Sequence, residues 1–470
     1  MNLMIDENQV TFKEIEQEVF RFVCDLAQEL TAEILEKYDE YLHDTRDTTE
    51  LRDKGTRKTS IKTVYGDVPY KRHVYQTRDE YGVSHCVYLL DENLNMNKIG
   101  LISENCVEMM ISSITEVSYR NCAEKVTEMT GLSISHTGVW NVIQKLGDKL
   151  EQDEAELRSV NKNEKIKGEK EVPVVFEEAD GVWLILQGND RKKRSNTKAE
   201  MKAAIAYDGW KAEGAGRYSL DGKVVTAGFE GAAEFHKTRE AMIATAYNLD
   251  ETRLRIINGD GASWIKNTPD KETLFQLDLF HRNSSINENL SHEKAIHDVK
   301  DLLEAKEVDE MLRYLEIYRD SLDDAKEIEK AETLISYFKN NREGLIPYQK
   351  RGIDIPESPE GLEYRNMGTM ENHIWSIIAK RMKHNHTCWS IKGGNHLAKI
   401  LAKKCEGKLY EVTEQLRIPV FEKEKIEEFT GEILTPCKIK EQVGKGYKYP
   451  VLGHLAYTDM PIRGDGHNRF

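Results

Sequence analysis

Three acids stand where their neighbours predict the ends of structural elements. Asp180 lies in Phe176-Glu177-Glu178-Ala179-Asp180-Gly181, Asp260 in Asn258-Gly259-Asp260-Gly261, and Glu371 in Met367-Gly368-Thr369-Met370-Glu371-Asn372. Carboxylates drawn together repel one another unless a cation neutralises them. Mg²⁺ (or Mn²⁺) suits such a set, being a hard ion shared between a few carboxylates and substrate phosphates. Two such ions about 4 Å apart activate a water or a 3′-hydroxyl and stabilise the leaving oxygen of a phosphodiester. Asp180, Asp260 and Glu371 are therefore the expected metal ligands, with two ions between them. In a chain with 82 Asp and Glu, it is the three positions taken together that set these acids apart.

Other groups gather around them. Glu178 shares a strand face with Asp180, because side chains alternate along a strand; its expected role is to support the ligands. Asp278-Leu279-Phe280-His281 closes a predicted strand, where Asp278 and His281 could touch the scissile phosphate or orient a metal ligand. A His alone at such a point is more often structural. Lys380, Arg381, Lys383 and His384 follow Glu371 and set positive charge where backbone phosphates must lie. Arg191-Lys192-Lys193-Arg194 reads as a hairpin tip that could also touch DNA. His384, His386 and Cys388 lack the second ligand pair that a zinc site needs.

For the acids to meet, the chain must form a sheet. Val172–Leu186, Lys202–Tyr207 and Lys223–Phe229 read as three consecutive strands, with turns at Asp208-Gly209 and Asp221-Gly222. A helix over Ala232–Tyr247, a strand over Leu254–Ile257, a helix near Ala262 and a strand over Leu274–Leu279 follow. The order βββαβαβ is that of a ribonuclease-H-like α/β fold. There the first and fourth strands are neighbours, so Asp180 and Asp260 face each other across the strand ends. Acidic helices over 287–342 form an all-α insertion, and the last catalytic-domain helix begins near Thr369. Trp375, Ile378 and Met382 follow Glu371 by four, seven and eleven residues, so burying them aims Glu371 at the aspartates. The core is assigned to 165–286 and 343–405, after a polar linker at 161–170.

The preceding region is helical with a small β unit. Within the helical segment 1–50, residues 11–42 carry Ile15, Val19, Val23, Leu26, Leu30 and Ile34 at three- and four-residue steps. They pack on their own domain or against a second copy. Residues 51–97 alternate through Val68, Tyr70, Arg72 and Val74, as a basic antiparallel unit does. In 98–160, Tyr119–Met129 and a second helix capped by Ser133 or Ser135 flank Gly131. The second helix buries Val139, Val142, Ile143 and Leu146 and turns out His136, Thr137, Asn141, Gln144 and Lys145. This is a helix-turn-helix layout with side chains aimed at DNA. Residues 406–470 are a C-terminal tail.

A net charge of −15 speaks against a nucleic-acid binder, but the charge is segregated. Residues 51–75 hold seven Lys/Arg against two acids, 372–404 hold seven and no acid, and 291–340 hold 14 acids against eight basic residues. Local patches, not the sum, meet phosphates. No apolar run approaches the roughly 20 residues that span a membrane. The start of the chain lacks a secretion signal. Seven scattered cysteines without a C-x-x-C pair suit reduced thiols in the cytoplasm.

The chain resembles the ISLre-type transposases of bacterial insertion sequences over nearly its whole length. The likeness rests on Ile102-Ser103-Glu104-Asn105, Ser135-His136-Thr137-Gly138-Val139-Trp140 and Glu177-Glu178-Ala179-Asp180-Gly181-Val182-Trp183. It continues in Asn258-Gly259-Asp260-Gly261-Ala262-Ser263-Trp264, Gly344-Leu345-Ile346-Pro347-Tyr348-Gln349 and Arg365-Asn366-Met367-Gly368-Thr369-Met370-Glu371. More broadly it resembles Mutator-like DDE transposases. Their two aspartates, Asp-x-x-His element and glutamate fall on Asp180, Asp260, Asp278 with His281, and Glu371. The resemblance implies cleavage at terminal inverted repeats, transfer of 3′ strands into a target duplex, and a homo-oligomer on DNA. Glu178 and Trp264 are the expected supports behind the ligands. One departure is Arg282-Asn283-Ser284-Ser285, where the family carries an aromatic and basic helix start. The alternative readings are a DNA-binding regulator, a decayed transposase without catalysis, and a nuclease of the same fold.

Overall fold

Thr11 opens the first helix with a reciprocal cap: its hydroxyl accepts from Glu14 N, and Glu14 Oε2 accepts from Thr11 N at 2.6 Å. In the computed structural model, residues 11–95, 99–268, 270, 272–384 and 387–416 are described. Most of the expected C-terminal tail, the first ten residues and His386 lie outside that set. The chain divides into two units, Met1–Leu146 with Tyr410–Phe470, and Gly147–Leu409.

In the first unit α1 (Phe12–Thr45) packs on an antiparallel meander of β1 (Arg52–Thr63), β2 (Gly66–Arg78) and β3 (Ser84–Val87). The register Ile61↔Val68 and Thr59↔Tyr70 puts alternate β2 residues against Leu35 and Tyr38. Arg72, counted above in the basic face, lies on this inner side. It pairs with Asp91 of α2 (Leu89–Asn93) at 2.8 Å and stacks on Tyr88, so it is not available to phosphate. Of the apolar stripe of α1, Leu26, Leu30 and Ile34 are half-buried and Ile15, Val19 and Val23 are exposed, while the C-terminal half buries Leu35 and Tyr38. Next come α3 (Glu104–Ile114) and α4 (Tyr119–Thr130), capped by Ser103 and Ser118. Gly131 ends α4 at φ 71, a conformation glycine adopts freely. Then α5 runs from His136 to Glu164, with Ser135 Oγ accepting from Gly138 N. Residues 161–164, read as linker from their polarity, are its last turn.

The second unit is built on a mixed sheet. Its elements are β4 (Val174–Ile185), α6 (Gly188–Lys192), β5 (Lys198–Tyr207), β6 (Gly209–Gly214), β7 (Arg217–Asp221), β8 (Val224–Gly228), α7 (Ala232–Ala246), β9 (Leu254–Gly259), α8 (Ser263–Lys266) and β10 (Leu274–Leu277). The strand order is β10-β9-β4-β5-β8, with β10, β9 and β4 parallel and β5 antiparallel to both its neighbours. The 209–221 stretch, read as a connection between strands, is a hairpin. It forms a separate three-stranded sheet with β11 (Leu362–Glu363). Four helices follow β10: α9 (Leu279–Asn289), α10 (Glu293–Glu304), α11 (Val308–Asp320) and α12 (Ala325–Asn340), around Leu303, Met311, Leu315, Leu334 and Phe338. After them come α13 (Met370–Ile374), a π-helical turn Trp375–Ala379, α14 (Lys380–Met382) and α15 (Ile391–Cys405). Among the described residues no helix is long and apolar enough to cross a membrane.

The two faces of β4 are held differently. On one, buried Glu177 pairs with Arg255 of β9 at 2.7 Å and with Arg239 of α7 at 3.2 Å, and Arg255 also meets Glu240 at 2.8 Å. Removing one partner of a buried ion set strands the others in a medium that cannot solvate them. Glu177→Ala should therefore lower stability by about 3–5 kcal/mol, read as a lower urea midpoint. A midpoint within experimental error of wild type would show that the guanidiniums find other partners.

Candidate active site

The opposite face of β4 presents Glu178 and Asp180. β4 and β9 run parallel with the register Glu178↔Asn258 and Ala179↔Gly259, so Asp180 and Asp260 each follow the last pair by one residue. β10 joins the same edge through Leu277↔Gly259, and Asp278 follows it. Asp260 and Asp278 thus follow the ends of β9 and β10, and Asp180 lies inside β4 at the point where its pairing with β9 stops. The three share the carboxyl-end edge of the parallel strands, where such sheets gather functional groups.

Each aspartate is held in its own way. Asp180 Oδ1 accepts from Gly181 N at 2.7 Å. Burial first, and then the charges of Asp260 and Asp278, push its carboxyl up to about 6, against the Gly181 bond and His281. Asp260 Oδ1 accepts from Ala262 N at 2.8 Å across a turn in which Gly261 has φ 90. That turn leans on the helical insertion. Tyr337 of α12 donates to the Asp260 carbonyl at 2.7 Å, and a Cβ on Gly261 would strike the side chain of Asn341.

Asp278 is not a strand residue, as the sequence reading had it; β10 stops at Leu277 and Asp278 caps α9. Its Oδ1 accepts from Phe280 N and His281 N at 3.0 and 3.1 Å and meets His281 Nδ1 at 3.1 Å. Its Oδ2 accepts from Asn258 at 2.9 Å. Burial pushes this carboxyl up, but the bonds from His281 and Asn258 outweigh it and hold it low. The Asp278 bond raises the His281 imidazole, against burial, and Asp180 and Asp260 add to the rise. With Nδ1 engaged, His281 has Nε2 for a substrate.

Glu178 accepts six hydrogen bonds. Oε1 takes Tyr207 Oη and Thr369 Oγ1 at 2.6 and 2.8 Å; Oε2 takes Asn258 Nδ2 and the N–H groups of Gly368, Thr369 and Met370 at 2.8–3.3 Å. It has no oxygen to spare for a metal. It ties the start of α13 to the sheet face that bears Asp180.

Glu371 rides on that helix; of the 4-7-11 stripe Ile378 and Met382 are buried and Trp375 is not. The helix, with a π-helical turn at Trp375–Ala379, buries the apolar set Met370, Ile374, Ile377, Ile378, Ala379 and Met382. Trp375 is 53% exposed and Glu371 is also exposed. Two groups elsewhere, His43/Asp53/His73 and Asp148/Glu151/His396, bring their ligand atoms within 4.8 Å of one another; the three expected ligands are more widely spaced.

Residues 5–417 match the model of an uncharacterised protein family, UPF0236. The chain belongs to UPF0236. It is 25% identical over 421 residues to a UPF0236 protein of Caldanaerobacter subterraneus subsp. tengcongensis, covering 88% of this chain and 82% of that one. The name of that relative joins eleven locus designations. A second relative, the UPF0236 protein in the vanSb 3′ region of Streptococcus gallolyticus, is 21% identical over 407 residues, covering 85% and 84%.

Other expected site residues of this UPF0236 chain divide by exposure. His136, Thr137, Asn141 and Lys145 are exposed on α5, but Gln144 is 6% exposed. A helix covered on one side would leave it out; burial of Val142, Ile143, Gln144 and Leu146 together means that α5 is covered on more than one side. Lys380 and Lys383 are exposed, whereas Arg381 is 8% exposed with its guanidinium 5.4 Å from the Trp389 ring centre. Trp264 is buried with Ala179, Phe235 and Ile265, and its Nε1 donates to Glu200 at 3.3 Å. Sequence reading missed Asn258, Tyr337 and the Gly368-Thr369 backbone. Only the Asn258-Gly259-Asp260-Gly261 string hinted at the first.

Asp180 supplies a test. Its folded-state carboxyl, at about 6, lies above its ordinary 3.8, so the folded state holds the proton more tightly. Stability falls as pH rises across that window, and the full cost is present above it. In chelated solution Asp180→Asn should be more stable than wild type above about pH 6, by up to roughly 2–3 kcal/mol, with the gap closing towards pH 4. Parallel melting curves across this range would contradict the account.

Proposed function

We propose that this UPF0236 chain is a DDE-type DNA transposase: a metal-dependent enzyme that cuts element ends and transfers 3′ strands into target DNA. The observation that carries the reading is the convergence of Asp180 inside β4, Asp260 and Asp278 just past β9 and β10, and His281 in the first turn of α9, with Asp180 and His281 both feeling the charges of Asp260 and Asp278. The strand order, with a three-stranded antiparallel part extended by two parallel strands, supports a ribonuclease-H-like core.

The donor set fits a hard divalent cation. The groups are carboxylates, and Asp180 bears a charge that its surroundings penalise and a cation would relieve. Asp180, Asp260 and Glu371 would hold Mg²⁺ or Mn²⁺, which when bound supplies Lewis-acid activation of the attacking oxygen and stabilisation of the leaving one. Glu178 holds the helix that carries Glu371. Asp278 fixes the His281 ring, which offers Nε2 to a phosphate oxygen. Lys380 and Lys383 face backbone phosphates, and His136, Thr137, Asn141 and Lys145 face the duplex at the helix-turn-helix.

The eleven locus designations of the Caldanaerobacter relative support the reading, because an element that copies itself leaves one gene at many loci. Assembly of copies on DNA belongs to the same reading, and the exposed Ile15, Val19 and Val23 offer a surface for it.

The test is cleavage of a labelled duplex that carries the gene's own flanking ends, with Mg²⁺ or Mn²⁺. We expect metal-dependent nicking at the ends that Asp260→Ala lowers by at least about 100-fold, the upper end for losing a group that merely supports a metal ligand. Joining of the 3′ ends to a second duplex separates transfer from plain hydrolysis. Binding without cleavage by either protein would overturn the enzymatic reading in favour of a regulator or a decayed copy.

A further inference from the structure

His43 near the end of α1, Asp53 in β1 and His73 in β2 bring one ligand atom each to within 4.8 Å of the others. The two imidazoles are stacked, with centroids 4.2 Å apart and planes 26° from parallel. Each ring is gripped through Nδ1. His43 Nδ1 lies 3.2 Å from Tyr75 Oη, and His73 Nδ1 lies 2.7 Å from Asp39 Oδ2. Asp39 is 2% exposed, and the same oxygen accepts from His73 N at 2.8 Å, so the carboxylate is locked in place. Nε2 is then the nitrogen each ring has for a ligand. A carboxylate or hydroxyl on the far nitrogen of a histidine is the usual support of a metal ligand: it sets the tautomer and raises the basicity.

The third ligand arrives by a separate device. Between Asp53 and Thr56 the β1–β2 register slips: Thr56 pairs with His73, yet Asp53 pairs with Tyr75. Three residues of β1 thus match two of β2, a bulge whose extra residue turns Asp53 onto the face of His73 and Tyr75. Without it Asp53 would point to the other side. Gly55, at φ 80, supplies the left-handed residue, and its N–H donates to Asp53 Oδ1 at 2.8 Å, which leaves Oδ2. Arg46 stands near, 5.5 Å from the centre of the Tyr75 ring, and its charge reaches Asp53.

We propose that His43, Asp53 and His73 bind a divalent transition-metal ion of the Zn²⁺ class, which clamps the end of α1 to the β1–β2 hairpin. Two imidazole nitrogens with one carboxylate select a borderline ion over Mg²⁺, and a three-ligand set leaves a position for water. This site lies in the first unit and is independent of the carboxylates assigned to DNA cleavage.

The full chain, without a polyhistidine tag, is stripped with chelator and titrated with Co²⁺ in millimolar Mg²⁺, and the visible absorption of the bound ion is followed. We expect one Co²⁺ per chain with mixed nitrogen and oxygen ligation, displaced by Zn²⁺. His73→Gln should abolish the signal. Asp53→Asn, an exposed change whose fold is checked by thermal melting, should weaken binding by at least about 10-fold, and Tyr75→Phe by about 10-fold. Asp148→Asn, in the other compact group, should leave the signal intact. An unchanged titration in folded Asp53→Asn and His73→Gln, loss of signal in Asp148→Asn alone, or no Co²⁺ binding by wild type would each overturn the proposal.

Discussion

A carboxylate taken out of water must recover its hydrogen bonds from the protein, and Glu178 recovers six. Three come from the N–H groups at the start of α13, which have no partner inside that helix. The bond set joins residues some 190 positions apart in the chain. It fixes the helix that carries Glu371 against the strand that carries Asp180, and through Asn258 it reaches Asp278 as well. Two residues along the same face, Asp180 accepts from its own neighbour Gly181. One carboxylate is satisfied by the fold; the other bears a charge that its burial penalises. Placed side by side, they separate what holds the site from what would act in it.

The supports around that pair are layered. Glu177, on the reverse face of β4, locks α7 through Arg239 and Arg255, so the strand is tied on both sides. The helical insertion contributes too, since Tyr337 and Asn341 brace the turn at Asp260 and Gly261. Movement of α12 would therefore reach Asp260 directly, although α12 supplies no ligand.

Much of the sheet was legible because β strands write themselves as short apolar runs between turn residues. The strands around Asp180 and Asp260 are of that kind. The hairpin at 209–221 was not, because Trp210 is its only large buried apolar residue and Gly209, Gly214 and Gly216 read as loop. Asp278 was misassigned by one element; an Asp before a helical run is an N-cap signal, and that signal was available. The π-helical turn was not legible, since its extra residue leaves no mark in composition; the facing argument for Glu371 fails at Trp375, which is exposed, although Ile378 and Met382 are buried as the spacing predicts. Gln144 and Arg381 were misplaced for a shared reason: periodicity finds the strongest apolar stripe of a helix but not a second covered side. The role of Glu178 needed the fold itself, because its backbone donors carry no side-chain signature.

The central claim is that Asp180, Asp260 and Glu371 share one divalent-cation site. Replacing Mg²⁺ with Fe²⁺ and generating hydroxyl radicals with ascorbate and peroxide cuts a polypeptide beside the bound ion, and sequencing the fragments locates the cuts. The account predicts cuts beside all three residues, each suppressed by excess Mg²⁺. Cuts beside only one of them, or cuts that Mg²⁺ does not suppress, would contradict it.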